Sequence, residues 1–484
     1  MDLRRGRMVF FWVIFVLELR MASIFVSANV VLNVQHKFAG RERSLGALKA
    51  HDARRHGRIL SAVDLPMGGI GHATDTGLYF AKIGIGTPSK DYYVQVDTGS
   101  DVLWVNCAGC DQCPKKSDLG IQLKLYDPKG SSTGKLVTCE QDFCSVMVEA
   151  PVAGCKVGSL CQYSITYGDK SSTAGYFVKD NVQLNRVSGN LQTTPMNGTV
   201  TFGCGAKQSG QLGSSSGAVD GILGLGQANS SMISQLASAG KVKKMFAHCL
   251  DGTRGGGIFA IGDVVQPKLN STPLIPNQAH YNVIMKAIEV GGDVLQLPTD
   301  VFDTDGGKSS IIDSGATLVY LPQEMFDPLM KKVMASHPNL KLIVEQQSTC
   351  FQYSGNVDDG FPVVTFHFEN SLSLTVYPHD YLFQIRDNLW CVGWQISEML
   401  PKDEKQMFLL GDIALSNKLV LYDLENQTIG WAEYNCSLGI KVKDEQSGEV
   451  HLVGAHDLSS ACSLNAGRTL TLLLLMAILL DFLY

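Results

Sequence analysis

Two segments of the 484-residue chain set an aspartate between apolar strand-formers. Tyr93-Val94-Gln95-Val96 runs into Asp97-Thr98-Gly99-Ser100, and Val102-Leu103-Trp104-Val105 follows. Ser310-Ile311-Ile312 runs into Asp313-Ser314-Gly315-Ala316, and Leu318-Val319-Tyr320-Leu321 follows. A carboxylate between two buried strands is costly unless its charge is used. Each half then carries an apolar-apolar-Gly element, Ile222-Leu223-Gly224 and Leu409-Leu410-Gly411. The same order occurs twice, with the aspartates 216 residues apart and the glycines 187 apart, which reads as a duplicated lobe. Two facing carboxylates share one proton and titrate as a pair. One then serves as base to a bound water, and the other, protonated, donates to a carbonyl oxygen. That chemistry needs neither a metal nor a covalent intermediate.

The elements that must hold these loops are β in character. Past residue 75, Val, Ile, Tyr, Phe and Thr alternate and are broken by Gly, of which the chain has 49. Helical patterns are few; Ser231–Ala239 and Gln323–Ser336 are the best. Residues 163–180 (YSITYGDKSSTAGYFVKD) alternate on both sides of Gly168-Asp169, as a hairpin does. GILGLG at 221–226 has the glycines of a dinucleotide loop, but no helix pattern opens after it. The 11 histidines fall into no metal or nucleophile pattern. Residues 1–75 hold 11 Lys and Arg against 6 Asp and Glu, whereas the remainder holds 29 against 40. An acidic body argues against nucleic acid as a partner.

Twelve of the 13 cysteines lie between Cys107 and Cys436, an even number that suits disulfides in an oxidising compartment. Spacing leaves their pairing open. Cys107-Cys110-Cys113 could be a metal knuckle, but secretion favours oxidised sulfur over zinc thiolate, so no metal is expected.

The two Asp loops and both apolar-Gly elements resemble the pepsin-type aspartic proteases over residues 78–436, and the cysteine-rich insertion after Trp104-Val105 resembles their plant nepenthesin-like branch. The resemblance implies a mainly β, bilobal double β-barrel with an active-site cleft between the lobes. It implies an aspartic endopeptidase without cofactor, acting as a monomer on peptide and protein substrates, with Asp97 and Asp313 catalytic. Thr98 and Ser314 would link the loops across the lobes, and Ser100 would hydrogen-bond Asp97. Gly99 and Gly315 would permit the tight turns and let substrate backbone approach. Tyr167, followed by Gly168, would be the tyrosine of a substrate-covering flap, reaching toward Trp104. Cys107–Cys113 and Cys350–Cys391 would be bridges. Ala316 departs from the pattern, because it has no hydroxyl where the first loop has Ser100. Relatives on this branch that inhibit cell-wall glycosidases make a catalytically weak or inactive binding protein the alternative.

The ends carry targeting patterns. Arg4, Arg5 and Arg7, the apolar run Val9–Val26 and the small residues after it read as a signal peptide over 1–28. A basic pro-segment is expected over 29–75, lying on an acidic cleft until acid releases it. The first lobe is expected over 76–265, the second over 266–437 and a polar stalk over 438–460. Ser459-Ser460-Ala461, a spacer and the apolar Leu470–Leu480 read as a glycolipid (GPI) attachment signal, with Ser459 or Ser460 anchored and 461–484 removed. Asn197, Asn229, Asn270, Asn426 and Asn435 open glycosylation sequons. Together these place the protein on the outer leaflet of the plasma membrane.

Overall fold

Strands Lys90–Asp97, Leu103–Asp111 and Gly221–Gly224 form the unit that presents Asp97. Gly221–Gly224 lies between the other two, parallel to Lys90–Asp97 and antiparallel to Leu103–Asp111. The second half repeats this: Phe408–Leu410 runs parallel to Ser310–Ile312 and antiparallel to Val319–Leu321. In each unit an apolar strand threads between the two arms of an Asp loop, which fixes where the loop sits. The computed structural model describes residues 60–69, 78–147, 155–302, 309–345, 348–397, 408–445 and 447–458, all within one compact unit. The expected signal peptide, most of the expected pro-segment, Ser459, Ser460, Cys462 and the apolar tail lie outside the described residues.

The architecture is mainly β. A central sheet joins the halves in the strand order Thr428–Glu433, Lys418–Asp423, Met245–Leu250, Gly257–Ile261, Val63–Asp64, Ser172–Gly189. Met245–Leu250 of the first half pairs antiparallel with Lys418–Asp423 of the second, setting Phe246 opposite Tyr422 and His248 opposite Val420. Both faces of this seam are apolar, so its strands read as nearly unbroken buried runs. Helix Met232–Ser238 starts where Ser231 caps the Ser234 N–H, and helix Gln323–Val333 continues as a 3₁₀ turn through Ser336. No helix of the described residues is long and apolar enough to cross a membrane.

Two expectations are corrected, and a third gains structure: residues 60–69, within the expected pro-segment, pair with strands of the body. Val63–Asp64 pairs with strands on both sides, Met67–Gly69 pairs with Tyr79–Ala81, and Ala62, Val63, Leu65 and Met67 are buried. Residues 438–458 are not a stalk. Ile440–Lys443 pairs with Asp263–Gln266 and Val450–Val453, and its alternation buries Ile440 and Val442 while turning Lys441 outward. Leu458 N–H then donates to the Met67 carbonyl at 2.9 Å, and His456 pairs with Asp64 at 2.8 Å, tying the two ends together. Finally, Cys107 is bonded to Cys204, not Cys113. Cys107 stands in an extended strand whose neighbour Val105 faces Cys204 across the parallel ladder. The ladder shifts register after Asn106, and although Cys113 Sγ returns to 2.9 Å from Asn106 Oδ1, the Cys107 sulfur is already bonded across the ladder. Cys113 instead meets Cys110 over a turn in which Gln112 has φ +58°. The remaining bonds are Cys139–Cys155, Cys144–Cys161, Cys249–Cys436 and Cys350–Cys391.

Candidate active site

The two Asp loops meet at the seam. A Cβ on Gly315 would stand 2.2 Å from Asp97 Oδ1 and 3.1 Å from Asp313 Oδ1, and one on Gly99 would lie 2.5–2.6 Å from the Asp313 carboxyl atoms. Each glycine therefore packs on the opposite loop's carboxylate, and no larger residue fits. This close approach, rather than a left-handed φ, is what requires glycine here. Each aspartate also accepts its own loop's glycine N–H, Gly99 to Asp97 Oδ1 and Gly315 to Asp313 Oδ1, both at 2.8 Å.

The loops hold one another through hydroxyls. Thr98 Oγ1 donates to the Ile312 carbonyl at 3.2 Å and accepts the Ser314 N–H at 2.9 Å. Ser314 Oγ donates to the Val96 carbonyl at 3.2 Å. Thr98 and Ser314 are fully buried, where these bonds are least exposed to competition from water.

Asp97 is 5% exposed, and burial raises its pKa above the ordinary carboxylate value. The Ser100 hydroxyl, the Gly99 N–H and the nearby His280 pull it back down. Ser100 Oγ donates to Asp97 Oδ2. Tyr167, whose pKa burial raises well above the ordinary phenol value, accepts the Trp104 Nε1–H on its hydroxyl at 2.7 Å. Trp104 is anchored in an apolar cluster with Tyr163, Phe177 and Ile222. Tyr167 lies at the turn between Gln162–Thr166 and Ser172–Gly189, closed by Tyr167 N–H to the Ser171 carbonyl, with Lys170 rather than Gly168 at positive φ.

Sequence reasoning missed four residues here. Asp412 directly follows the second apolar-Gly element; it is buried, its Oδ1 has no partner among the described residues, and burial together with Asp313 and Asp97 pushes its pKa well up. The Gly-Asp pair after a buried apolar run was the available signal. Tyr320 is raised by burial and by the fields of Asp169, on the hairpin turn, and of Asp313. His280 draws the pKa of Asp97 down, and Tyr422, stacked on Phe246, is raised by burial and by the fields of Asp313 and Asp412. All five sequon asparagines are exposed.

This arrangement can hold one proton between two carboxyls, with the hairpin tyrosine Tyr167 within the field of Asp97. The family model described as "Xylanase inhibitor N-terminal" matches residues 79–263, and that described as "Xylanase inhibitor C-terminal" matches 280–433. Aspartic proteinase 36 of Arabidopsis thaliana is 53% identical over 96% of this chain and 94% of its own length. Aspartic proteinase 39 of the same plant is 49% identical over 90% and 91%. Among solved structures, that of edgp superposes with a TM-score of 0.61 at 21% identity, over 78% of this chain and 95% of its own.

Proposed function

The chain belongs to the pepsin-type aspartic proteases, and from that premise we propose that Asp97 and Asp313 are the catalytic pair of a secreted, surface-anchored endopeptidase. The reciprocal packing of each loop's glycine on the opposite carboxylate carries this reading. With one proton between them, Asp97 takes a proton from a bound water as that water's oxygen attacks the scissile carbonyl. Asp313 gives its proton to the carbonyl oxygen, and the roles reverse as the C–N bond breaks and the amine leaves protonated. Asp97 takes the ionised role because the Ser100 hydroxyl donates to it. Substrate lies extended, bonded through its backbone like an added strand, with apolar side chains flanking the cut. Tyr167 and Gly168 close over it. A leader over 1–28, an anchor at Ser459 or Ser460 and glycans on the five exposed asparagines complete the account.

The family-model description favours a second reading, a pepsin-fold binding protein that inhibits a glycosidase. Incubation with a peptide library at pH 3–6, with and without pepstatin, separates the two. Pepstatin-sensitive cleavage, lost in Asp97→Asn, supports the protease; no cleavage by the properly processed protein supports the inhibitor.

A further inference from the structure

A groove on the second half belongs to no part of the site described above. Its volume is about 390 Å³, within the range of small-molecule pockets, and its lining includes Tyr377, His379, Asp380, Lys418, Glu433 and Asn435. Lys418 opens the strand Lys418–Asp423 and is 2% exposed. An ammonium is rarely buried unless its three N–H groups find acceptors. Here Nζ donates to the Ser416 carbonyl at 3.2 Å, whereas Asp380 Oδ2, at 3.6 Å, is beyond hydrogen-bond reach. Asp380 is held by its own turn, where Oδ2 accepts the Tyr377 N–H at 3.0 Å. The ammonium therefore keeps donor capacity toward the groove that it lines.

The rest of the lining narrows the choice of occupant. Tyr377 and His379 lie with their rings parallel, 3° between planes and 5.5 Å between centroids. His379 Nδ1 is 2.9 Å from Asp358 Oδ1, and Tyr377 Oη donates to Glu433 Oε2 at 3.2 Å. The carboxylates of Asp358, Asp380 and Glu433 outnumber the cationic side chains, Lys418 and His379, so a free anion is disfavoured. A neutral molecule with acceptor oxygens and an apolar face suits an ammonium set beside aromatic rings. A sugar has both.

The groove also carries a point of attachment. Asn435 opens the sequon Asn435-Cys436-Ser437. Its Oδ1 accepts the Ser437 N–H at 3.1 Å and the Ser437 hydroxyl at 2.6 Å, which turns the oxygen edge of the amide into the sequon's own turn. Nδ2, the atom that a glycan is joined to, has no acceptor among the described residues. Asn426 is the contrast, because its Nδ2 donates to Asp423 Oδ2 at 2.7 Å. Cys436 is buried and bonded to Cys249, which fixes the backbone from which Asn435 projects. We propose that the groove is a sugar seat: the first N-acetylglucosamine residues of a glycan on Asn435 lie across Tyr377 and His379, with an oxygen accepting from Lys418 Nζ. That glycan is then a packed part of the second half rather than loose cover.

This inference rests on the reading of Asn435 as a glycosylated residue, which peptide mass spectrometry of the secreted protein tests separately: an unmodified Asn435 overturns both. With Asn435 modified, the native protein is treated with a peptide N-glycosidase, and release at each occupied sequon is followed as conversion of Asn to Asp. Release from Asn435 should be at least about tenfold slower than from the other occupied sequons, and should match theirs after denaturation. Tyr377→Ala and Lys418→Met each remove one wall of the seat and leave the sequon and the Cys249–Cys436 bond in place. Each should bring native release at Asn435 to within about threefold of the other sites. Native wild-type release at Asn435 as fast as elsewhere overturns the seat alone, as does undiminished protection in Tyr377→Ala. If Lys418→Met is not secreted, Tyr377→Ala decides.

Discussion

At the scale of single residues, the site is a set of carboxyls whose pKa values are displaced for different reasons. Placing a hydroxyl on the second loop, Ala316→Thr, adds a donor to the ionised form of Asp313 and lowers its pKa. The upper limb of the pH–rate profile should therefore move to lower pH; an unmoved limb contradicts the assigned roles. Asp412 offers a test through stability. Its folded pKa is raised, so the folded protein holds a proton that the unfolded chain has released above the ordinary carboxylate value. The resulting stabilisation is complete below that value and is lost as pH rises through the raised one. Asp412→Asn keeps the shape and removes the titration, so its thermal midpoint relative to wild type should be higher at pH 7 than at pH 4. His248 acts with the opposite sign. Its folded pKa is depressed to about 3, so stability is lost as pH falls from the ordinary histidine range toward that value. His248→Gln should make the midpoint less sensitive to acid over that window.

At the scale of elements, the flap hairpin and the crosslinks carry the testable content. Tyr167→Phe removes the acceptor for Trp104 while keeping the ring. It should cut kcat/KM about five- to tenfold with a thermal midpoint lowered by only a few degrees. Cys249–Cys436 closes a loop of sequence separation 187 and ties a seam strand to the C-terminal segment. Replacing both cysteines by Ala should cost about 2–5 kcal/mol in denaturant titration. The elements legible in the sequence were those whose evidence is local. The paired Asp loops, the apolar-Gly strands and the Ser231-capped helix each announce themselves within about ten residues. What was not legible depends on partners far along the chain. Cys107 meets Cys204 only because Val105 lies beside it in the ladder, and Val63–Asp64 is a strand only because Ile261 and Arg186 flank it. Lys441 and Lys443 disguise a strand whose inward residues are apolar, and Asp412 went unread because its importance lies in nearness to Asp97 and Asp313.

At the scale of the whole molecule, the two ends close on one another, and this bears on processing. Val63, Leu65 and Met67 are core residues, each worth about 1.5–3 kcal/mol of burial. A cut that discarded them would also strip Gly257–Ile261 and Ser172–Gly189 of a shared neighbour. Mass spectrometry of the mature N-terminus should read Leu60 or an earlier residue; a terminus beyond Gly69 contradicts the fold's account of this segment. The central claim is that two carboxyls, one from each half, activate a single water between them. Its most direct test is the rate of peptide cleavage from pH 3 to 7 by wild type, Asp97→Asn and Asp313→Asn, each checked for native folding. The account predicts a bell-shaped profile for wild type and losses of at least about 10³-fold in both variants. Cleavage by either variant within about tenfold of wild type would contradict it.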